Sequence, residues 1–111
     1  MTASTEDIIK RLSESLIPWG EMITQKKMFG GHSFLYGGKM CIGEHKEKLV
    51  VRIPAERMDE VMAMPDVGPM VFTGKPMKEF VFVFRPAYQT EEQLQFWVEL
   101  GIEHAKSKLE K

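Results

Sequence analysis

The sequence predicts an α+β domain, a two-layer sandwich in the order α, β-meander, α, two strands, α, with helices packed on a mostly antiparallel sheet. Residues 22–53 and 70–86 read as strands, while the segments before, between and after them repeat at helical period. Gly37-Gly38 forms a two-residue gap between strand-like runs, the signature of a tight hairpin closed by a primed turn. At 111 residues, 43% hydrophobic and 28% charged, the chain makes one globular domain, residues 1–111, with a core that needs no staples.

The first helix opens at Ser4 or Thr5, with Glu6 and Asp7 in the turn where the helix dipole favours acids. Ile8, Ile9, Leu12 and Leu16 share one face, and Pro18 and Gly20 end the helix. Strands follow in "MITQKKMF", "HSFLY" and "KLVVRI", the last with Leu49, Val51 and Ile53 on one side and Lys48, Val50 and Arg52 on the other. A second hairpin closes through residues 44–48. Pro54 suits the first position of a short helix that turns Ala55, Met58, Val61 and Met62 to the core, and Pro65 and Gly68-Pro69 stop it. "MVF" and "KEFVFVF" are two more strands joined by a turn at Gly74-Lys75-Pro76, with Phe80, Phe82 and Phe84 opposite Val81 and Val83. Apolar residues on both faces mark a central, covered strand. The last helix has a capping box in Thr90 and Gln93 and a stripe of Leu94, Trp97, Val98, Gly101, Ile102, Ala105 and Leu109. Gly101 within that stripe predicts close approach to the sheet.

"KMFGGHSFLYGGKM" contains two glycine pairs, Gly30-Gly31 and Gly37-Gly38, but no helical pattern follows either. A phosphate cradle needs backbone N–H groups converging at a helix start, so the glycines read as a bend and a hairpin turn.

The net charge of −1 conceals a division: residues 22–53 carry +4 and 70–86 carry +2, while 1–21, 54–69 and 87–111 carry −2, −3 and −2. A mildly basic sheet under acidic helices follows. Lys26, Lys27, Lys39, Lys48, Arg52, Lys75 and Lys78, with Phe34, Tyr36 or a phenylalanine of 80–84 as ring platforms, are the candidate partner-binding residues, since basic and aromatic side chains on a sheet suit single-stranded nucleic acid. A pI near 6.3 argues against a committed nucleic-acid binder.

Catalytic chemistry finds no footing. Cys41 and His45 share a strand face by spacing, with His32 near, but a metal site lacks further ligands, and a cysteine nucleophile with a histidine base needs an activating environment that no sequence pattern here supplies. No catalytic, cofactor or metal residues are assigned. A single cysteine fits a reducing compartment, no apolar run spans a bilayer, and "MTASTEDIIK" lacks signal-peptide character. Cytoplasmic placement without membrane contact is expected. Nine methionines and an apolar second sheet face suit a protein partner or self-association.

The run Lys26-Lys27-Met28-Phe29-Gly30-Gly31, the pair Gly37-Gly38, "KLVVRI", Gly74-Lys75-Pro76-Met77 and "KEFVFV" resemble the N-terminal domain of the TfoX/Sxy family of bacterial competence regulators. The resemblance covers roughly residues 6–108, with His32-Ser33 where tyrosine-glycine is more usual. It implies a secretion-chaperone-like α-β-α-β-α fold, no catalytic residues, and a transcription-factor partner. Full-length regulators carry a second, helical domain, so this chain resembles a single-domain member. The motif residues are expected to be structural. The reading is a non-enzymatic regulatory or adaptor domain acting by protein contact, as a homo-oligomer. A nucleic-acid-binding module on the basic sheet is the alternative, and a small-molecule binder with a pocket between the glycine bend and Trp97 is a third.

Overall fold

The structure, a computed structural model, describes residues 5–28, 31–46, 48–72 and 75–109. Helix α1 (Thr5–Ser15) leads through a 3-10 segment, Ile17–Met22, into four strands: β1 (Ile23–Met28), β2 (Gly31–Tyr36), β3 (Lys39–His45) and β4 (Lys48–Arg52). After a 3-10 turn at Ala55–Arg57 come α2 (Met58–Met62), β5 (Val67–Phe72), β6 (Lys75–Val83) and α3 (Glu91–Leu109). All pairs are antiparallel and the sheet order is β1-β2-β3-β4-β6-β5. The α+β class, the meander and the element order agree with the sequence reading.

Strand register decides which side chains meet the helices. Phe34, Ile42, Val51 and Val81 lie in one row of ladder partners, and Leu49 pairs with Val83. All six are at most 3% exposed and join Ile8, Leu12, Leu16, Val61, Leu94, Trp97 and Val98 in one core. All three helices feed that cluster, so they cover one face. Leu35, Met40, Val50 and Phe80 are also buried but stand outside it, on the reverse face. Each large apolar side chain so removed from water contributes roughly 1.5–3 kcal/mol.

One glycine explains how closely the layers approach, and a glycine pair closes the hairpin between β2 and β3. A β-carbon on Gly101 would run into the Cys41 carbonyl, 2.9 Å from its carbon, so α3 rests directly on the β3 backbone. Gly37 and Gly38 have φ of 56° and 86°, as a primed two-residue turn requires. The capping box of α3 is closed in both directions: the Gln93 N–H donates to Thr90 Oγ1 (3.1 Å) and the Thr90 N–H to Gln93 Oε1 (2.9 Å).

Several expectations need correcting. The antiparallel pairing of Met28 with Gly31 puts a tight reversal at the glycine pair, as the bend reading expects, with Gly31 itself opening β2; an irregularity that the sequence does not show lies in β3, where the register shifts beside Cys41. The extra residue reverses side-chain parity, so Cys41 joins the helix-side core while His45 lies on the reverse face, stacked on Phe82 at 5.9 Å. The residues either side of the bulge no longer alternate in step, and the proposed Cys41–His45 pair dissolves. Gly68 and Pro69 belong to β5, and Lys75 and Pro76 to β6, rather than to breaks or turns. In the middle helix only Val61 is fully buried, because a 3-10 turn precedes just five α-helical residues; Ala55 and Met62 are exposed. Leu109 at the end of the α3 stripe is 40% exposed, whereas His104 and Leu100 are buried.

Candidate functional site on the reverse face of the sheet

The residues singled out for partner contact do not form one surface. Phe34 is 3% exposed within the helix-side core, and Tyr36, on the same side of β2, packs against that core. Neither is a free stacking platform, because even-numbered β2 residues face the helices. Lys26 and Lys27 are exposed but adjacent on β1, so they point to opposite faces. Phe29, Gly30 and Gly74 lie outside the described residues, as do the side chains of Met28, Lys75, Pro76, Met77 and Lys78.

What the fold does assemble is a row of cations on phenylalanine rings. The Arg52 guanidinium lies 5.2 Å from the centre of the Phe80 ring and the Lys48 ammonium 5.0 Å from that of Phe82, with the His45 ring stacked beside it. These groups come from β3, β4 and β6, where pairing of His45 with Lys48 and of Arg52 with Phe80 brings them together. Phe80 is 8% exposed, Phe82 half-buried and Phe84 42% exposed, so the row opens to solvent at one end. Arg52, Lys48 and a phenylalanine of 80–84 were all named from sequence for a basic, ring-bearing sheet surface. The stacked His45 is the member of the row that the sequence reading did not place there.

A second cluster ties α3 to β6. His104 Nε2 donates to Glu79 Oε1 at 3.1 Å, and Arg52 reaches the same oxygen at 3.7 Å. Glu79 sits at φ 66°, an uncommon conformation for a residue with a side chain. Burial lowers the His104 pKa more than the bond to Glu79 raises it, so the ring is neutral at pH 7. Burial also opposes ionisation of Glu79, but the hydrogen bond from His104 and the nearby Lys108 and Arg52 outweigh it and hold the carboxyl below its ordinary range. His104 Nδ1 and Arg52 Nε are buried without partners among the described residues. A ring nitrogen closed off from solvent cannot serve as a base, and the cluster acts as a clamp between layers.

Cys41 is fully buried; its S–H donates to the Phe34 carbonyl at 3.3 Å, and burial pushes the thiol up to about 12. That removes it as a nucleophile near neutral pH. Among the described residues no group of three or more His, Cys, Asp or Glu could hold a metal ion, and no helix is long and apolar enough to cross a membrane. An apolar groove of about 350 Å³ does abut Trp97, but its far wall is Met64, Pro65 and Pro86, not the glycine bend.

The profile of the TfoX N-terminal domain matches residues 14–105. No curated protein matches the chain.

Proposed function

Because the chain belongs to the family of TfoX N-terminal domains, we propose that it is a non-enzymatic regulatory or adaptor domain that acts by protein–protein contact, and that two copies associate through the reverse face of the sheet. The observation that carries this reading is the Phe80–Phe82–Phe84 row on a face to which none of the three helices contributes, ending in an exposed phenylalanine. An apolar strip rimmed by charged groups is the ordinary make-up of a contact surface. The lone, buried Cys41 is compatible with a reducing, cytoplasmic setting.

A nucleic-acid role for the same face has less support. Phe34 and Tyr36, two of its expected ring platforms, are taken up on the helix side.

Sedimentation velocity over micromolar concentrations tests the proposal. The wild-type chain is expected to form a dimer in exchange with monomer, and Phe84→Glu, a change at an exposed position, is expected to leave a folded monomer. A wild-type monomer at every concentration, or a dimer untouched by Phe84→Glu, overturns the self-association. Oligonucleotide affinity that falls steeply with salt would favour the other reading.

A further inference from the structure

On the opposite side of the molecule the groove beside Trp97 has a built character that the reverse face lacks. Its walls come from three separate elements: Met64 and Pro65 after α2, Pro86 before α3, and Phe96 with Trp97 on α3 itself. Hydrogen bonds hold those walls. The Trp97 indole N–H donates to the Ala87 carbonyl at 2.9 Å, the Gln93 side-chain amide to the Pro86 carbonyl at 3.1 Å, and the Phe84 N–H to the Asp66 carbonyl at 2.9 Å. Phe96 stands edge-on to Trp97, 5.0 Å between ring centres, and is itself half-buried. A preformed apolar slot of about 350 Å³ falls in the size range of ligand pockets and accepts one large side chain with its adjoining backbone.

The charge around it is of one sign. Asp66 and Glu92 line the groove, and it continues past Phe96 into a shallower hollow bounded by Glu91, Gln95 and Glu99; no lysine or arginine lines either. Glu91 is engaged by Arg11 at 3.4 Å and Glu99 by the Gln95 amide at 3.1 Å, which leaves Glu92 and Asp66 as the carboxylates beside the opening without a side-chain partner among the described residues. Acids in the first turn of α3 serve the helix dipole, but Asp66 lies on another element and has no such role. An apolar slot between two unpaired carboxylates is complementary to a bulky apolar side chain flanked by cations.

We propose that the groove between Met64-Pro65, Pro86 and Phe96-Trp97 is a docking site for a segment of a partner protein that inserts one large apolar side chain flanked by lysine or arginine. The site lies on the helix side and is independent of self-association through the sheet, so failure of either leaves the other standing.

The test uses the full chain and a blocked hexapeptide with a central leucine-phenylalanine pair between two lysine pairs, followed by NMR. Trp19 and Trp97 give two indole N–H signals, and Trp97 reports the groove wall. The basic peptide is expected to shift the Trp97 signal and leave that of Trp19 in place, with affinity falling at least fivefold between about 50 mM and 500 mM salt. Glu92→Lys is expected to weaken binding about tenfold, Glu92→Gln about threefold. Both are changes at one surface position, and retained signal dispersion shows that the fold is intact. Equal binding of the same peptide with glutamates for lysines, unchanged affinity in Glu92→Lys, movement of Trp19 alone, or no shift at millimolar peptide would each overturn the proposal.

Discussion

Replacing Gly101 by alanine separates local preference from packing, because the two predict opposite signs. In an isolated helix the change stabilises by about 1 kcal/mol. In this molecule the new methyl group meets the Cys41 carbonyl oxygen and lies 2.9 Å from its carbon and 3.3 Å from Cβ. The obstacle is the backbone of a central strand, so no rotamer change relieves it. Either α3 lifts or β3 bends, and α3 carries Leu94, Trp97, Val98, Leu100, Ile102 and Ala105, each at most 3% exposed. Gaps of even 0.5–1 Å forfeit about a quarter to a half of each dispersion contact. Overpacking against a rigid partner lies near the top of the usual range, about 3 kcal/mol, leaving a net loss of about 2 kcal/mol, or roughly 8 °C in Tm for a domain of this size. Thermal and urea unfolding followed by circular dichroism measure it. Gly20→Ala, where a methyl meets nothing within 4 Å, is the control and is expected within about 0.5 kcal/mol of wild type. Cys41→Ala is expected not to rescue, since the clash is with main chain. A Gly101→Ala chain as stable as wild type would refute the close approach of α3.

Thr90→Ala removes the acceptor for the Gln93 N–H and is expected to cost about 1 kcal/mol in urea unfolding, with no change in m-value. Stability is expected to fall on acidification in two stages. Folded His104 has a lowered pKa, so its contribution is complete above the unfolded value of about 6.5 and declines as pH drops below it. Glu79, also lowered, adds a further loss below its unfolded value of about 4.3, as pH falls toward the folded pKa. Urea midpoints across pH should show both stages, with Glu79→Gln flattening the lower; a profile unchanged in that variant would contradict the clamp. Cys41, with its thiol pushed up to about 12, should react with Ellman's reagent at pH 8 only as fast as the chain opens. Rapid stoichiometric labelling of the native protein would contradict its burial.

The helix α3 was legible in the sequence because each of its determinants is local: the Thr90–Gln93 box, the apolar stripe, and a glycine within the stripe. The meander was equally legible, since the Gly37-Gly38 turn and the period of "KLVVRI" are short-range signals. The β3 bulge was not, because Cys41-Ile42 carries no residue that demands it; it follows from fitting β2 and β3 under α3. The reversal at the glycine pair 30–31 was legible, but a second requirement for Gly31 was not: a β-carbon there would strike the Glu44 carbonyl. His104 could have been found, since it lies three positions after Gly101 and seven after Trp97 on the buried stripe. Its partner Glu79 could not, because nothing in "KEFVFV" announces a residue at positive φ. The site itself was half legible. Alternation placed Arg52 with Val50 on one side, but it also offered Phe34 as a platform, and only register shows that Phe34 faces the helices.

The sheet order leaves β1 and β5 as its two outer strands, and each is guarded. Lys26 and Lys27 stand exposed along β1, where addition of another strand would crowd like charges together. Pro69 lies within β5, and since β5 pairs with β6 on its inner side, the donor that proline lacks is missing from the rim. Neither border is a template for continuing the sheet from one molecule into the next. Under the proposed self-association, copies would meet front to front as closed pairs with a two-fold axis, since the route to open-ended ribbons is blocked at both margins.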